Sequence, residues 1–179
     1  MLSTAHALLL VIDVQGKLAD LAWRSEMLQK NIRILLESMK VLEMPILATE
    51  QYPKGLGPTV PAIAELLGDE PVIEKSSFSC CGEFAFETRL TELHKTDIIV
   101  CGIETHVCVY QTVRDLLGLG YHVHLVTDAV SSRTEENWKL GVSACASLGA
   151  KTTSTEMVLF ELLEESGTER FKAVSKLVK

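Results

Sequence analysis

Short apolar runs recur along the chain and predict buried strands. The first covers positions 7–12 and ends at Asp13, and another covers 97–101. A run that is apolar at nearly every position is typical of a strand covered on both faces, as in a parallel sheet. Further strands are predicted at positions 46–48 and 71–74, at 121–127, where bulky and apolar residues alternate, and at 150–153.

Between these runs, apolar residues at spacings of three and four predict helices. The clearest covers positions 28–42 and ends before Pro45, since the residue before a proline disfavours the helical conformation. Segment 49–59 holds two Pro and two Gly and predicts a loop, with Thr59 as the N-cap of a helix through Leu67. The remaining predicted helices lie at 83–93, at 106–117, from 134, at 157–163 and from 168.

Strands that alternate with helices predict one α/β domain over residues 1–179, with a doubly wound, Rossmann-like, mostly parallel six-stranded sheet and helices on both faces. Segment 157–163 is hydrophobic nearly all round, which is more than one buried face needs. We therefore expect the helices from about position 155 to pack on the core or on a neighbouring subunit. The predicted assembly is at least a homodimer.

Composition narrows the class of protein. The 179 residues are 47% hydrophobic and 23% charged, as in a globular chain. A net charge of −7 without a Lys/Arg cluster argues against a nucleic-acid partner. The first six residues carry no Lys or Arg, and the apolar run after them is too short for a signal or a membrane span. Five cysteines without paired spacing suit free thiols, so a cytoplasmic location without a membrane partner is expected.

Three residues with chemical potential follow predicted strands: Asp13, Lys75 and Cys108. Ligands of doubly wound folds collect at the carboxyl ends of the strands. Cys108 falls in the first turn of a predicted helix, where N–H groups and the helix dipole favour thiolate over thiol. Asp13 could take the thiol proton and Lys75 could stabilise the charges. An ion pair that only closes the strand ends is the alternative for Asp13 and Lys75.

Three segments resemble the signatures of the isochorismatase-like cysteine hydrolase superfamily: Leu-Val-Ile-Asp-Val-Gln at 10–15, Glu-Lys-Ser-Ser-Phe-Ser at 74–79 and Gly-Ile-Glu-Thr-His-Val-Cys-Val at 102–109. They occur in the family's order and spacing. The resemblance implies a catalytic triad of Asp13, Lys75 and Cys108. It also implies a cis peptide between Ile103 and Glu104, which directs the Glu104 N–H, with that of Cys108, into an oxyanion hole.

Departures from the family pattern narrow the function. The nicotinamidase branch has an Asp-x-His metal motif after the second strand, where this chain has Thr-Glu-Gln-Tyr at 49–52; no metal and no cofactor are predicted. Isochorismatases proper lack the nucleophilic cysteine, whereas Cys108 is present. The expected substrate is therefore a small molecule with an amide, carbamoyl or related C–N bond, cleaved through an acyl-enzyme. The loop at 51–57 resembles the divergent isochorismatase domain-containing subgroup.

Two other functions remain open. In a thiol-based redox protein, Cys108 would be oxidised to sulfenic acid and resolved by Cys101 or Cys145. A binding module could also have kept the fold without turnover.

Several other side chains are candidates for the substrate pocket or for a supporting role. Gln15, Tyr52 and Phe78 are pocket candidates, although each could also serve packing or backbone hydrogen bonding. His106 is two residues before Cys108, yet an early helix residue is expected to point away from it. His122 and His124 could suggest a metal pair, but the sequence offers no third ligand in range. For Arg133 we expect a surface or interface salt bridge, although it could bind an anionic group.

Overall fold

The structure is a computed structural model that describes residues 2–179. Its strands are β1 (Ala7–Ile12), β2 (Ile46–Gln51), β3 (Val72–Lys75), β4 (Asp97–Ile103), β5 (His122–Ser131) and β6 (Lys151–Thr153). Its helices are α1 (Gly16–Asp20), α2 (Ser25–Val41), α3 (Pro53–Leu56), α4 (Pro61–Leu67), α5 (Phe84–Glu92), α6 (Tyr110–Gly118), α7 (Glu135–Ser147), α8 (Thr155–Leu163) and α9 (Glu169–Leu177).

The six strands form one parallel sheet in the order β3-β2-β1-β4-β5-β6. This confirms the predicted doubly wound α/β fold. β1 lies at the centre, where Leu10 is paired with Leu47 on one side and with Val100 on the other. All six residues of β1 are buried, which is why the strand reads as a continuous apolar run.

Two hydrophobic clusters fill the two faces of the sheet. One contains the inward faces of α2, α4, α8 and α9, and the other those of α5, α6 and α7. In α8, Val158 and Leu159 are fully buried, whereas Met157 is 62% and Phe160 41% exposed. Docking on the sheet therefore accounts for only part of the apolar surface of this helix.

The structure corrects three local predictions. β2 runs to Gln51, and the predicted loop that follows contains the short helix α3. Thr59 does not cap α4: the N-cap is Val60, and Thr59 bonds Glu50 through both its N–H and its hydroxyl. The helix predicted at 106–117 begins with a π-turn, Thr105–Val109, before α6. These differences lie at segment ends, where side-chain contacts between distant segments outweigh local propensity.

Within residues 2–179, no helix combines the length and the apolar character that crossing a bilayer requires.

Candidate active site

The three predicted residues converge at the carboxyl edge of the sheet. Asp13 follows β1, Lys75 ends β3, and Cys108 lies in the π-turn after β4. Because β1 is bonded to both β2 and β4, successive crossovers leave β1 in opposite directions. That switch point is where doubly wound folds form ligand sites.

Asp13 and Lys75 form a buried ion pair. Lys75 Nζ lies 2.7 Å from Asp13 Oδ2, and the two side chains are 0% and 3% exposed. Thr49 Oγ1 donates to the other carboxylate oxygen, Oδ1, at 2.8 Å. Asp13 adopts a left-handed φ of 51°, a conformation that is uncommon for residues other than glycine. The carboxylate is thus held from two sides.

The Lys75 ammonium has more oxygen neighbours than hydrogens. It donates to Gln51 Oε1 at 2.6 Å and to the carbonyl oxygens of Ser77 and Phe78 at 3.1 and 3.0 Å. An ammonium has three N–H groups, so the contact with Asp13 is chiefly ionic. Asp13 Oδ2 is buried and accepts no hydrogen bond from residues 2–179. Its lone pairs can therefore receive a proton.

Glu83 anchors the loop that follows Lys75 through hydrogen bonds. Its Oε1 accepts hydrogen bonds from the N–H groups of Ser76 and Ser77 and from the Ser77 hydroxyl. These bonds lower the pKa of the Glu83 carboxyl, since they favour its charged form. The anchored loop fixes the two carbonyl groups that bind the Lys75 ammonium.

Cys108 is 7% exposed and is a neutral thiol at rest. Burial, followed by the negative charge of Asp13, raises its pKa to about 12, while Lys75 acts in the opposite direction. The prediction that the helix start favours thiolate is therefore wrong for the resting site, because burial is the largest effect on this thiol and disfavours its charged form. Asp13 and Lys75 are thus the charged groups that act on the thiol, and Cys108 Sγ lies 4.0 Å from Gln51 Oε1, which also accepts from Lys75.

The turn that carries Cys108 is supported by close packing. Gly141 of α7 lies against it, and a Cβ added there would be 2.8 Å from both His106 N and the Thr105 carbonyl carbon. Gly102 has a φ of 118°, and its added Cβ would be 2.1 Å from the Ile12 carbonyl oxygen. These two glycines let α7 and β1 approach the backbone on either side of the thiol.

The residues before Cys108 contribute backbone and charged groups. The peptide bond between Ile103 and Glu104 is cis. The Glu104 N–H donates to no acceptor among residues 2–179, and Glu104 Oε1 accepts from the N–H and Nε of Arg133 at 3.1 and 3.0 Å. His106 Nδ1 lies 3.0 Å from Ser132 Oγ, so this ring nitrogen is engaged away from the thiol.

The pocket candidates occupy different environments. Gln15 is fully buried and bonds backbone groups: its Nε2 donates to the carbonyl oxygens of Gln51 and Gly57, and its Oε1 accepts from the Gln51 N–H. Tyr52 and Phe78 are 58% and 54% exposed. Tyr52 lines a cleft of about 330 Å³ beside Lys75, and neither Phe78 nor Cys108 lines that cleft.

Two residues of the site were missed by sequence reasoning. Thr49 and Gln51 contact Asp13, Lys75 and Cys108, yet the sequence placed both in a loop. A prediction that β2 continues to position 51 could have revealed them, because the end of a strand that lies between β1 and β3 is next to the end residues of both. Sequence patterns do not fix that strand order.

The side chains considered for a metal are otherwise engaged. Glu50 bonds Thr59. His124 Nε2 and His122 Nδ1 approach the same oxygen of Asp97, at 3.1 and 3.5 Å, at the opposite edge of the sheet from Cys108. Among residues 2–179, no three His, Cys, Asp or Glu side chains are grouped to hold a metal ion.

Of the cysteines considered for a redox partnership, Cys101 lies in a different part of the core from Cys108. Cys101 belongs to the hydrophobic cluster on one face of the sheet, and Cys108 and Cys145 to the cluster on the other. Cys101 Sγ donates to the Leu10 carbonyl oxygen at 3.6 Å. The sheet therefore separates Cys101 from Cys108.

Comparison with known proteins assigns the family. The sequence model of the isochorismatase domain matches residues 7–157. The chain belongs to the isochorismatase family. A secreted isochorismatase effector, Isc1 of Phytophthora sojae, is 37% identical over 97% of this chain and 84% of its own length. Isochorismatase domain-containing protein 2 of Danio rerio is 36% identical over 99% of this chain and 89% of its own length.

Comparison with solved structures supports the same family. The MAR1 ribonuclease from Caenorhabditis elegans has a TM-score of 0.93 and 36% identity to this chain, with 99% of this chain and 91% of that chain covered. The resemblance to the isochorismatase superfamily and its domain-containing subgroup is thus confirmed. The isochorismatase-family fold supports hydrolase activity in the broad sense.

Proposed function

We propose that this isochorismatase-family chain is a metal-independent cysteine hydrolase that cleaves a small amide, carbamoyl or related C–N substrate through a Cys108 acyl-enzyme. The observation that carries the proposal is the position of the Cys108 thiol beside the buried ion pair of Asp13 and Lys75 at 2.7 Å, with Gln51 Oε1 in contact with both the thiol and the ammonium. A nucleophile, a base and a cation at one sheet edge are the parts that acyl transfer needs.

The proton balance favours attack with Asp13 as the base. The high pKa of Cys108 reflects burial and the Asp13 charge. When the proton moves from the thiol to Asp13, the carboxylate charge disappears and that repulsion with it. Lys75 stays positive and stabilises the thiolate that is formed. The pair therefore generates a nucleophile without releasing a proton to water.

Each covalent step then conserves atoms and charge. The sulfur of Cys108 forms a bond to the carbonyl carbon, and the oxyanion is stabilised by the N–H groups of Glu104 and Cys108. The C–N bond breaks, and Asp13 returns its proton to the leaving nitrogen. Water next attacks the thioester, with its proton passing to Asp13 and then to the sulfur.

A mass measurement tests the nucleophile. Wild type and Cys108→Ala are incubated with a panel of small amides and carbamoyl compounds, and intact mass and product acid are followed. We expect an acyl adduct and product only with wild type. Cys101→Ala is the matched control, because this buried thiol lies on the other face of the sheet. Turnover that persists in Cys108→Ala refutes the proposal.

RNA cleavage is the second candidate, favoured by one observation. The structurally similar protein from Caenorhabditis elegans is named a ribonuclease. Against it stands the net charge of −7, since RNA binding draws on Lys and Arg contacts to phosphate. Incubation of the same two variants with single-stranded RNA separates the candidates: cleavage by wild type, with no amide turnover, would favour a nuclease.

A further inference from the structure

The Gln51 side chain lies between two members of the proposed triad. Its Oε1 accepts from Lys75 Nζ at 2.6 Å and from Cys108 Sγ at 4.0 Å. A carbonyl oxygen has two lone pairs, so both contacts can exist together. We propose that Gln51 is a positioning residue that holds the Lys75 ammonium and the Cys108 thiol in one arrangement through an uncharged acceptor. The inference rests on the proposed function, because it concerns how Cys108 is prepared for attack.

The orientation of the Gln51 amide is fixed by its other partners. Its Nε2 donates to the Ser76 carbonyl oxygen at 2.8 Å. Its backbone is held by Gln15, which accepts from the Gln51 N–H at 2.6 Å and donates to the Gln51 carbonyl oxygen at 3.1 Å. A rotated amide would turn N–H groups toward the Lys75 ammonium. Only one orientation therefore satisfies all of these partners.

The absence of charge on Gln51 matters because of what surrounds the thiol. The titratable groups that act on Cys108 are Asp13, Lys75 and Cys80. Asp13 and Lys75 carry one negative and one positive charge, so the site is balanced. A second carboxylate in place of Gln51 would still accept from Lys75, but it would oppose the formation of a thiolate nearby.

Two substitutions of similar length separate the hydrogen bond from the charge. Gln51→Glu keeps the acceptor and adds a negative charge. Gln51→Met keeps the length, and its thioether is only a weak acceptor. Both variants are made in the full chain, and the rate of iodoacetamide alkylation at Cys108 is followed by peptide mapping as a function of pH.

We expect Gln51→Glu to slow alkylation of Cys108 at pH 8 about threefold to thirtyfold. A unit charge about 4 Å from the sulfur lowers the thiolate fraction about tenfold to a thousandfold, and the greater nucleophilicity of the remaining thiolate offsets part of that loss. Gln51→Met is expected to leave the alkylation rate within about twofold of wild type and to lower amide turnover about tenfold, because Lys75 loses one fixed partner. A purely structural role would not slow alkylation selectively in Gln51→Glu.

Gln29→Glu is the matched control, since it makes the same change on α2, where the side chain bonds Ser25. It should leave alkylation and turnover unchanged. A wild-type alkylation rate in Gln51→Glu together with wild-type turnover in Gln51→Met, both with wild-type thermal unfolding, overturns the inference. Unreactive Cys108 in wild type would instead refute the proposed function, so the two failures are distinguishable.

Discussion

Replacement of Asp13 by Asn should change alkylation and hydrolysis in opposite directions. Asp13 is the candidate base, and its negative charge is also the second cause, after burial, of the raised pKa of Cys108. Asn has the same shape but no charge and cannot accept the thiol proton. The substitution therefore removes a repulsion that disfavours thiolate and, at the same time, removes the base that the proposed hydrolysis needs.

The magnitude is worked for one unit charge beside the thiol. A unit charge at about 4 Å contributes roughly 1 kcal/mol in water and about 4 kcal/mol at an effective dielectric constant of 20. These energies correspond to about one to three pKa units. From a pKa of about 12, the thiolate fraction at pH 8 would rise about tenfold to a thousandfold. Nucleophilicity falls as pKa falls, so the net gain in alkylation is about threefold to thirtyfold.

Amide hydrolysis should fall about 10²-fold to 10⁴-fold in the same variant, which is the usual contribution of a positioned base. Alkylation is followed with iodoacetamide by peptide mapping at Cys108, because Cys81 is also partly accessible. Hydrolysis is followed by product release. Slower alkylation of Cys108 in Asp13→Asn, or hydrolysis at the wild-type rate, would refute the assignment of Asp13 as base.

Stability must be measured beside these rates. Asp13→Asn leaves the fully buried Lys75 ammonium without its counterion, and breaking a buried pair costs about 3–5 kcal/mol. The double variant Asp13→Asn, Lys75→Met removes both charges, and urea unfolding should show that it regains much of this loss. If the double variant is no more stable than Asp13→Asn, the ion pair does not carry the cost assigned to it.

Three further outcomes are expected. Gly141→Ala should lower turnover at least tenfold, because its Cβ would displace the turn that carries Cys108. Gly118→Ala is the control: its Cβ would meet no atom within 4 Å, so this variant should be neutral or more stable by about 0.5–1 kcal/mol. Equal turnover in the two variants would contradict this prediction. The pKa values of Cys80 and Cys145 are raised by burial from 9.0 to about 11. The folded state therefore retains protons that the unfolded state loses, and the free energy of unfolding should fall by about 1.4 kcal/mol per thiol for each pH unit between 9 and 11; urea unfolding of Cys145→Ala should show a correspondingly shallower fall. Light scattering should give a mass above the 19.7 kDa of one chain, and a monomer would refute the predicted oligomer.

Some features were readable from local sequence because they depend on burial periodicity. The apolar run before Asp13 and the one before Gly102 predicted central strands, and both are buried in the sheet. The helices predicted from positions 134 and 168 begin there, and Thr134 and Thr168 are their N-caps, as is usual for short polar side chains. Residues that immediately follow such strands lie at the carboxyl edge in any parallel sheet, and so Asp13, Lys75 and Cys108 could be named together.

Other features depended on which segments pack against each other. The position of β2 between β1 and β3 brings Thr49 and Gln51 into the site, and no local pattern encodes that order. The protonation of Cys108 also reversed the expectation from sequence. Its position near a helix start favours thiolate, but burial among neighbours that are distant in sequence removes water and raises the pKa to about 12. Sequence thus determined which residues reach the edge of the sheet, and tertiary packing decided their partners and charge, because desolvation and non-local contacts exist only in the folded chain.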